Sequence, residues 1–266
     1  MLDWLELPNQ GRKTNGEEAL GEEVRRLRPA DELMVSAERL YYEGQFALAA
    51  REFHRARRHD PARFRAWAEE VDALLRAGQL EAADAVADEA MEAYGQVPVF
   101  YAAKAVVLAH QGHIERAYHH SDIAVKHQDA SFLTWLSRAE VLLASAAPGI
   151  LRSVEACFEK AAAHDPPRWR VAFRSALILL QWGYVDRALE RLGQTIERVP
   201  DYPFALKLMG DCHRMRGEDA AARECYQTVL AKHPDHRPAL EALRAMTFWG
   251  RLRSRLASLF GPRTSP

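Results

Sequence analysis

The sequence predicts an all-α protein, an α-solenoid of six helix–turn–helix units closed by a C-terminal capping helix. The first observation is a set of six glycines that recur every 34 residues, with one interval of 37. The second is that alanine, leucine and proline recur in phase with them, and a fixed period of roughly 20–50 residues is typical of helical repeat arrays. The glycines are Gly44, Gly78, Gly112, Gly149, Gly183 and Gly217.

The repeating unit is clearest in residues 202–234. A small residue such as Gly210 is needed where two paired helices cross closely. Gly217 follows the first helix because the residue there commonly adopts the left-handed conformation, which glycine reaches easily. Pro234 ends the second helix because proline has no backbone N–H and disfavours helix in the residue before it.

This pattern divides the chain into four kinds of segment. Residues 1–29 form an N-terminal segment with a short charged helix, acidic first and basic last, as the helix dipole favours. Residues 237–249 form the capping helix, in which Pro238 lies near the start, where its missing N–H needs no partner. Residues 250–266 form a basic amphipathic tail. The six repeats are residues 30–63, 64–97, 98–131, 132–168, 169–202 and 203–236.

Repeat four is three residues longer than the other repeats. Trp135 is in phase with the preceding repeat, whereas Phe158 and Pro166 are in phase with the following one. The extra residues therefore fall near residues 144–149, where Pro148 would interrupt a helix. We expect a longer turn between the two helices, protruding from the edge of the solenoid.

Five position classes resemble the tetratricopeptide repeat (TPR) family, over residues 31–234. In the last repeat they are occupied by Leu206, Gly210, His213, Ala222 and Pro234, and the other repeats mostly carry leucine where His213 stands. The resemblance implies a right-handed α-solenoid. It also implies that the first helices line a concave groove, in which a protein or peptide partner binds.

The resemblance further implies that the second, fifth, ninth and twelfth positions of each first helix face this groove. These positions are apolar in the middle repeats and charged at the ends. An apolar patch on a solvent-facing groove is typical of a binding site, and charged ends would fix the direction of a bound segment. The alternative is that the superhelix buries some of them as core. The predicted groove residues are Val99, Ala102, Val106, Leu133, Leu136, Glu140, Leu143, Phe173, Leu177, Leu180, Lys207, Asp211 and Arg214.

The composition excludes several classes of partner and compartment. Lysine plus arginine (36) nearly equals aspartate plus glutamate (37), so no electrostatic argument favours nucleic acid. No stretch of about 20 residues is apolar enough to span a membrane, and the first residues do not resemble a signal peptide. The three cysteines lack a CxxC spacing. We expect buried, reduced thiols in a cytoplasmic protein, with a Cys212–Cys225 disulfide as the alternative.

The sequence contains no recognisable catalytic or metal-binding pattern. It has no phosphate-binding glycine loop and no HExxH or GxSxG motif. His110, His113, His119 and His120 cluster in repeat three, but a metal site needs ligands converging within about 2 Å of one ion. These histidines point in different directions around two helices, so we interpret them as exposed polar residues. We expect no enzyme activity, no cofactor and no metal site.

Both ends of the chain carry apolar residues outside the repeats. Residues 2–7 form either a frayed terminus or a docking segment. In the tail, Trp249, Leu252, Leu256 and Phe260 share one helical face beside three arginines. That face either continues the cap or binds a partner helix or groove. Contact with a membrane surface is the alternative with the least support.

These features predict a non-enzymatic scaffold or adaptor that binds a segment of a partner protein in the concave groove. One alternative is a peripheral, membrane-associated assembly factor anchored by the tail. The other is a regulatory subunit of an enzyme complex, in which the N-terminal segment occupies the groove. The fold alone does not choose among them, because repeat arrays have many functions.

Overall fold

The computed structural model describes residues 29–95, 97–164 and 166–247, and every regular element in those ranges is an α-helix. The predicted all-α repeat architecture is therefore confirmed. The helices are α1 Pro29–Tyr42, α2 Phe46–His59, α3 Phe64–Arg76, α4 Leu80–Tyr94, α5 Pro98–His110, α6 Ile114–Lys126, α7 Phe132–Ala144, α8 Leu151–Ala163, α9 Arg168–Gln181, α10 Val185–Arg198, α11 Pro203–Met215, α12 Asp219–Lys232, and α13, residues 237–247.

The helices pair in the order that the repeats predict. Each odd-numbered helix from α1 to α11 packs against the even-numbered helix that follows it, which gives six helix–turn–helix pairs. The chain divides into two compact units, the first containing α1 to α8 and the second containing α9 to α13. The division, between residues 165 and 166, falls three residues before the predicted boundary of repeats four and five.

The turn glycines end the first helices as predicted. Gly217 has φ of +78° and donates its N–H to the Arg214 carbonyl, and the Glu218 N–H donates to the His213 carbonyl at 2.9 Å. This pair of hydrogen bonds is a Schellman motif, which requires a left-handed residue after the helix. The same pair of bonds closes α1, α3, α5 and α9.

The turn between α7 and α8 has six residues, 145–150, whereas the corresponding turns of the other five pairs have three. The longer turn expected there is thus confirmed, and residues 146–149 are exposed. The residue that ends α7 differs from the prediction. Ala146, with φ of +48°, donates its N–H to the Leu143 carbonyl, whereas Gly149, with φ of +73°, follows three residues later. The inserted residues therefore follow Ala146, which lies 34 residues after Gly112.

The core of each pair lies where small residues let two helices approach. Ala105, Ala139 and Ala176 of the first helices have no exposed surface, and neither have Ala117 and Ala188 of the second helices. The alternation of small and bulky residues recurs because every pair uses the same crossing.

The capping helix α13 packs against the last repeat. Ala239 is fully buried in a cluster with Leu206 and Tyr226, and Leu243 and Met246 pack against the same cluster. This agrees with a predicted cap over residues 237–249, of which the structure describes 237–247. The array needs such an element because the apolar side of its last repeat has no further repeat to cover it.

The remaining predicted segments lie mostly outside the described residues. Residues 1–28, with the predicted charged helix, and residues 248–266, with the amphipathic tail, are among them. Pro29, predicted to precede repeat one, is instead the first residue of α1, a position that suits proline. No helix within residues 29–247 is long and apolar enough to cross a membrane.

The three cysteines all lie in described helices and carry free thiols. Cys157 and Cys212 are buried and Cys225 is half-buried. Burial raises the pKa of the Cys212 thiol to about 12, so it stays protonated at neutral pH. Cys212 and Cys225 are not joined by a disulfide, so that alternative is wrong.

Candidate partner-binding groove

The first helices of the first unit stand side by side and form the face predicted to be the groove. Helix α3 packs against α5, and α5 packs against α7. Helix α1 is joined to α3 by side chains, since the Tyr41 hydroxyl donates to Asp72 at 2.5 Å and Arg63 forms an ion pair with Asp31 at 2.5 Å. This face is therefore built by helices from four consecutive repeats.

A polar network, which we call the central network, crosses this face. It consists of Tyr41, Asp72, Arg76, His110 and Glu140. Arg76 donates to Asp72 Oδ1 at 3.1 Å within α3 and to Glu140 Oε2 at 2.5 Å on α7. The other oxygen of Glu140 lies 3.0 Å from His110 Nε2 on α5. The network thus joins repeats one to four through side chains alone.

The ion pair between Arg76 and Glu140 is the part of the central network that is buried most deeply. The side chains of Arg76 and Glu140 are 4% and 2% exposed. Burial alone would raise the pKa of Glu140, but the positive charge of Arg76 and the hydrogen bond from His110 outweigh it, and the pKa falls to about 2. Glu140 is therefore ionised at neutral pH, and removing Arg76 would take away the main positive charge that stabilises this buried carboxylate.

Helix α5, which packs against both α3 and α7, carries small buried side chains. Helices α3 and α7 lie on opposite sides of α5, so a contact between Arg76 and Glu140 must pass across it. Ala102, Val106 and Ala109 of α5 are all buried.

A second group of residues, which we call the edge patch, lies on the same helices, at the start of α3, α5 and α7 and in the second half of α1. It consists of Glu38, Arg65, Val99 and Phe132. Arg65 Nη2 lies 2.7 Å from Glu38 Oε1, and its guanidinium lies 5.7 Å from the centre of the Phe132 ring. Arg65 is 42% exposed in its side chain, and Val99 and Phe132 are half-buried. Arg65 also pairs with the buried Glu69 at 3.2 Å, so the edge patch offers apolar surface beside a charge that is already paired.

The predicted groove residues of the first unit differ in how much of each side chain is exposed. Val99 is half-buried, and the others are buried, including Glu140 in its ion pair. The apolar middle of the predicted groove thus consists here largely of side chains with little surface to offer. The buried members are Ala102, Val106, Leu133, Leu136, Glu140 and Leu143.

In the second unit the predicted groove residues fall into three classes. Phe173 is buried against the rings of Tyr202 and Phe204, at centroid distances of 5.0 and 5.8 Å. The Lys207 ammonium donates to Asp211 at 2.6 Å, so these two charges are paired with each other. The buried residues are Phe173 and Leu177, the half-buried ones are Leu180, Lys207 and Asp211, and the exposed one is Arg214.

Two residues of the central network were missed from the sequence. Arg76 and His110 occupy the last position of their helices, one residue beyond those assigned to the groove. His110 was interpreted as an exposed polar residue, which is wrong, because its side chain is 13% exposed and contacts Glu140. The spacing of four between Asp72 and Arg76 was the available signal, since such pairs meet on one helix face.

The described residues contain no group of three or more histidine, cysteine or acidic side chains that could hold a metal ion. The tail residues predicted to interact, Trp249, Leu252, Leu256 and Phe260, lie outside the described residues.

Two parts of the chain match models of a known family. Residues 35–98 and residues 179–246 each match a family model described as tetratricopeptide repeat. No curated protein sequence matches the chain significantly.

Several solved structures are similar in fold. YrrB, described as a TPR protein with an unusual peptide-binding site, is 19% identical, with 72% of this chain and 97% of that chain covered and a TM-score of 0.40. A tetratricopeptide repeat protein from Parabacteroides merdae is 16% identical, with 88% and 94% covered and a TM-score of 0.45. PilW, a type IV pilus biogenesis factor, is 14% identical, with 82% and 99% covered and a TM-score of 0.48.

Proposed function

Because the chain belongs to the tetratricopeptide repeat family, we propose that it is a non-enzymatic scaffold or adaptor that binds a segment of a partner protein on the face of its first helices. Within the first unit we place the contact at the edge patch. The location we propose is the cytoplasm, in keeping with the free thiols.

The observation that carries the proposal is that charged side chains on this face bond laterally, from one first helix to the next. Arg65 reaches Glu38 on α1, and Arg76 reaches Glu140 on α7. The face combines buried apolar side chains with charged ones that are held in a fixed arrangement by these lateral bonds. Pre-arranged side chains lose little conformational entropy when a partner binds, which favours recognition.

The edge patch suits a short segment with apolar side chains. Val99 and Phe132 provide apolar contacts, and Arg65 stacks near the Phe132 ring while half of its surface stays in water. Aromatic and arginine side chains commonly dominate the energetics of protein interfaces. In the second unit we extend the proposal to Leu180 and Arg214, the predicted groove residues there that are half-buried and exposed.

The test replaces Val99 with aspartate and uses Val35→Asp as its matched control. Val35 is also a valine on a first helix and is 44% exposed. Aspartate at Leu136 or Leu177 would instead place a charge at a buried position and would report on folding. Each variant is checked by circular dichroism and then used for capture from native lysate with identification by mass spectrometry.

We expect wild type and Val35→Asp to retain the same partner, and Val99→Asp to lose it while keeping its helicity. Retention of the partner by a folded Val99→Asp variant would contradict the placement at the edge patch. If no protein is retained by wild type above the background of an unrelated helical protein, the scaffold proposal itself is wrong.

A further inference from the structure

The outward face of α2 carries a row of exposed basic residues. Arg51, Arg55 and Arg58 are exposed and follow the spacing that puts side chains on one helix face. His54 lies in the same row, with its side chain 49% exposed. This basic row belongs to a second helix, so it lies apart from the first-helix face proposed above.

A cavity of about 400 Å³ adjoins the basic row, between α2, α3 and the start of α4. Ala47, Ala50 and Leu74 supply its apolar lining, and Arg51 and Arg55 lie at its rim. A concave pocket that combines apolar surface with a few polar groups is the usual form of a ligand-binding site.

The positive charge at the rim is not cancelled by the acidic residue in the cavity. Glu70, which also lines the cavity, is buried and forms an ion pair with the buried Arg57, whose guanidinium stacks on the Trp67 ring at 4.0 Å. Among the described residues, neither Arg51 nor Arg58 has a hydrogen-bond or ion-pair partner, whereas Arg55 contacts Glu52 at 2.9 Å. Two cations of this row are therefore available to a ligand.

We propose that the outward face of repeat one is a second docking site, which takes an acidic segment of a partner protein. Carboxylates of the segment bind Arg51 and Arg58, and a small apolar side chain enters the cavity over Ala50 and Leu74. Arginine suits this role because its planar guanidinium binds carboxylates with two hydrogen bonds. Leu48, which is 44% exposed on the same helix, extends the apolar contact.

The same features disfavour nucleic acid as the ligand. The residues that line the cavity include no phenylalanine, tyrosine or tryptophan on which a base could stack. The chain as a whole has a net charge of −1 at neutral pH, so no long-range field attracts a polyanion. An apolar lining between cations is better matched by alternating acidic and apolar side chains of a peptide.

The test measures binding of two fluorescein-labelled peptides of about twelve residues to the full chain by fluorescence anisotropy. One peptide alternates glutamate with leucine and alanine, and the other has glutamine in place of glutamate. The charge variant is Arg51→Glu/Arg58→Glu. Its matched control is Arg39→Glu/Arg152→Glu, which reverses two exposed arginines of the same unit elsewhere.

We expect wild type and the control to bind the glutamate peptide alike, and the charge variant to bind it about tenfold or more weakly, since each reversed charge repels a carboxylate. Ala47→Trp, which fills the cavity without changing charge, should weaken binding as well. Val99→Asp should not, which separates this site from the edge patch.

Three results would overturn the proposal. Wild type could fail to bind the glutamate peptide, or bind the glutamine peptide equally well. The control could lose as much affinity as the charge variant, which would show a general charge effect. A twelve-nucleotide oligothymidine could bind more tightly than the peptide and depend on Arg51 and Arg58, which would make the row a nucleic-acid site.

Discussion

Replacement of Gly210 with alanine tests whether the crossing of α11 and α12 requires the absence of a side chain. A Cβ atom at this position would lie 2.5 Å from Cε1 of Tyr226 and 2.9 Å from Cδ1. Ordinary contacts between carbon atoms are about 3.5–4.0 Å. Tyr226 is fully buried and its hydroxyl donates to Asp211 at 2.8 Å, so the ring cannot move aside easily.

The expected change in the free energy of unfolding of Gly210→Ala is the difference between two opposing effects. Alanine in a helix interior is more favourable than glycine by about 1 kcal/mol. Overpacking costs about 1–3 kcal/mol, and a weakened Tyr226–Asp211 hydrogen bond costs about 1 kcal/mol more. Gly210→Ala should therefore lower the free energy of unfolding by about 1–3 kcal/mol. At Gly193 in α10 an added Cβ meets nothing within 4 Å, so Gly193→Ala should raise it by about 1 kcal/mol.

The assay is urea unfolding followed by circular dichroism, with both variants compared to wild type. If the loss arises from the Tyr226 ring, Gly210→Ala should cease to be destabilising in a Tyr226→Leu background, which a double-mutant cycle measures. A Gly210→Ala variant as stable as wild type would refute the reasoning, because α12 would then shift away from α11 at almost no free-energy cost.

Two further predictions concern the first unit. Ala146→Gly should raise the free energy of unfolding by about 1 kcal/mol, because alanine is disfavoured at a φ of +48°; in the same melts Ala147→Gly should give no gain, and an equal gain would contradict the assignment. Arg76→Met should lower it by about 3–5 kcal/mol, because the buried Glu140 would lose the positive charge of Arg76 and retain the contact with His110, and Arg76→Met/Glu140→Leu should recover most of the loss. The folded-state pKa of Glu140, about 2, is below its ordinary 4.5, so its contribution is complete above pH 4.5 and is lost as the pH falls toward 2. Wild type should therefore lose more stability than the double variant across that window, and equal losses would exclude Glu140 as the source.

The repeats could be predicted from sequence because their determinants are local. A glycine such as Gly217 needs a left-handed conformation whatever lies around it, and its recurrence gives the period directly. The same reliance on residue type led to the one misplaced turn residue. Gly149 was matched to the other glycines, but the position 34 residues after Gly112 belongs to Ala146, which adopts a left-handed conformation despite its Cβ.

The candidate site was less predictable because it depends on distances between helices. Arg76 and Glu140 are 64 residues apart, and no local pattern relates them. The repeat pattern predicted that Leu136 and Leu143 face the groove but did not indicate how much of each side chain is exposed, and both are buried. That amount depends on how closely the neighbouring helices pack, which the sequence of one helix does not specify.

The ion pair between Arg76 and Glu140 has a consequence for how the first unit comes apart. In a simple repeat array the stability is a sum of individual repeats and nearest-neighbour contacts, so the array can melt one repeat at a time from either end. Arg76 belongs to repeat two and Glu140 to repeat four, and Arg65 and Phe132 join the same two repeats. Melting of repeat four alone would remove Glu140 from the buried guanidinium of Arg76, which belongs to repeat two. Repeats two to four are therefore coupled into one cooperative block. A truncation within repeat four that removes Glu140 therefore destabilises α3, although α3 belongs to repeat two.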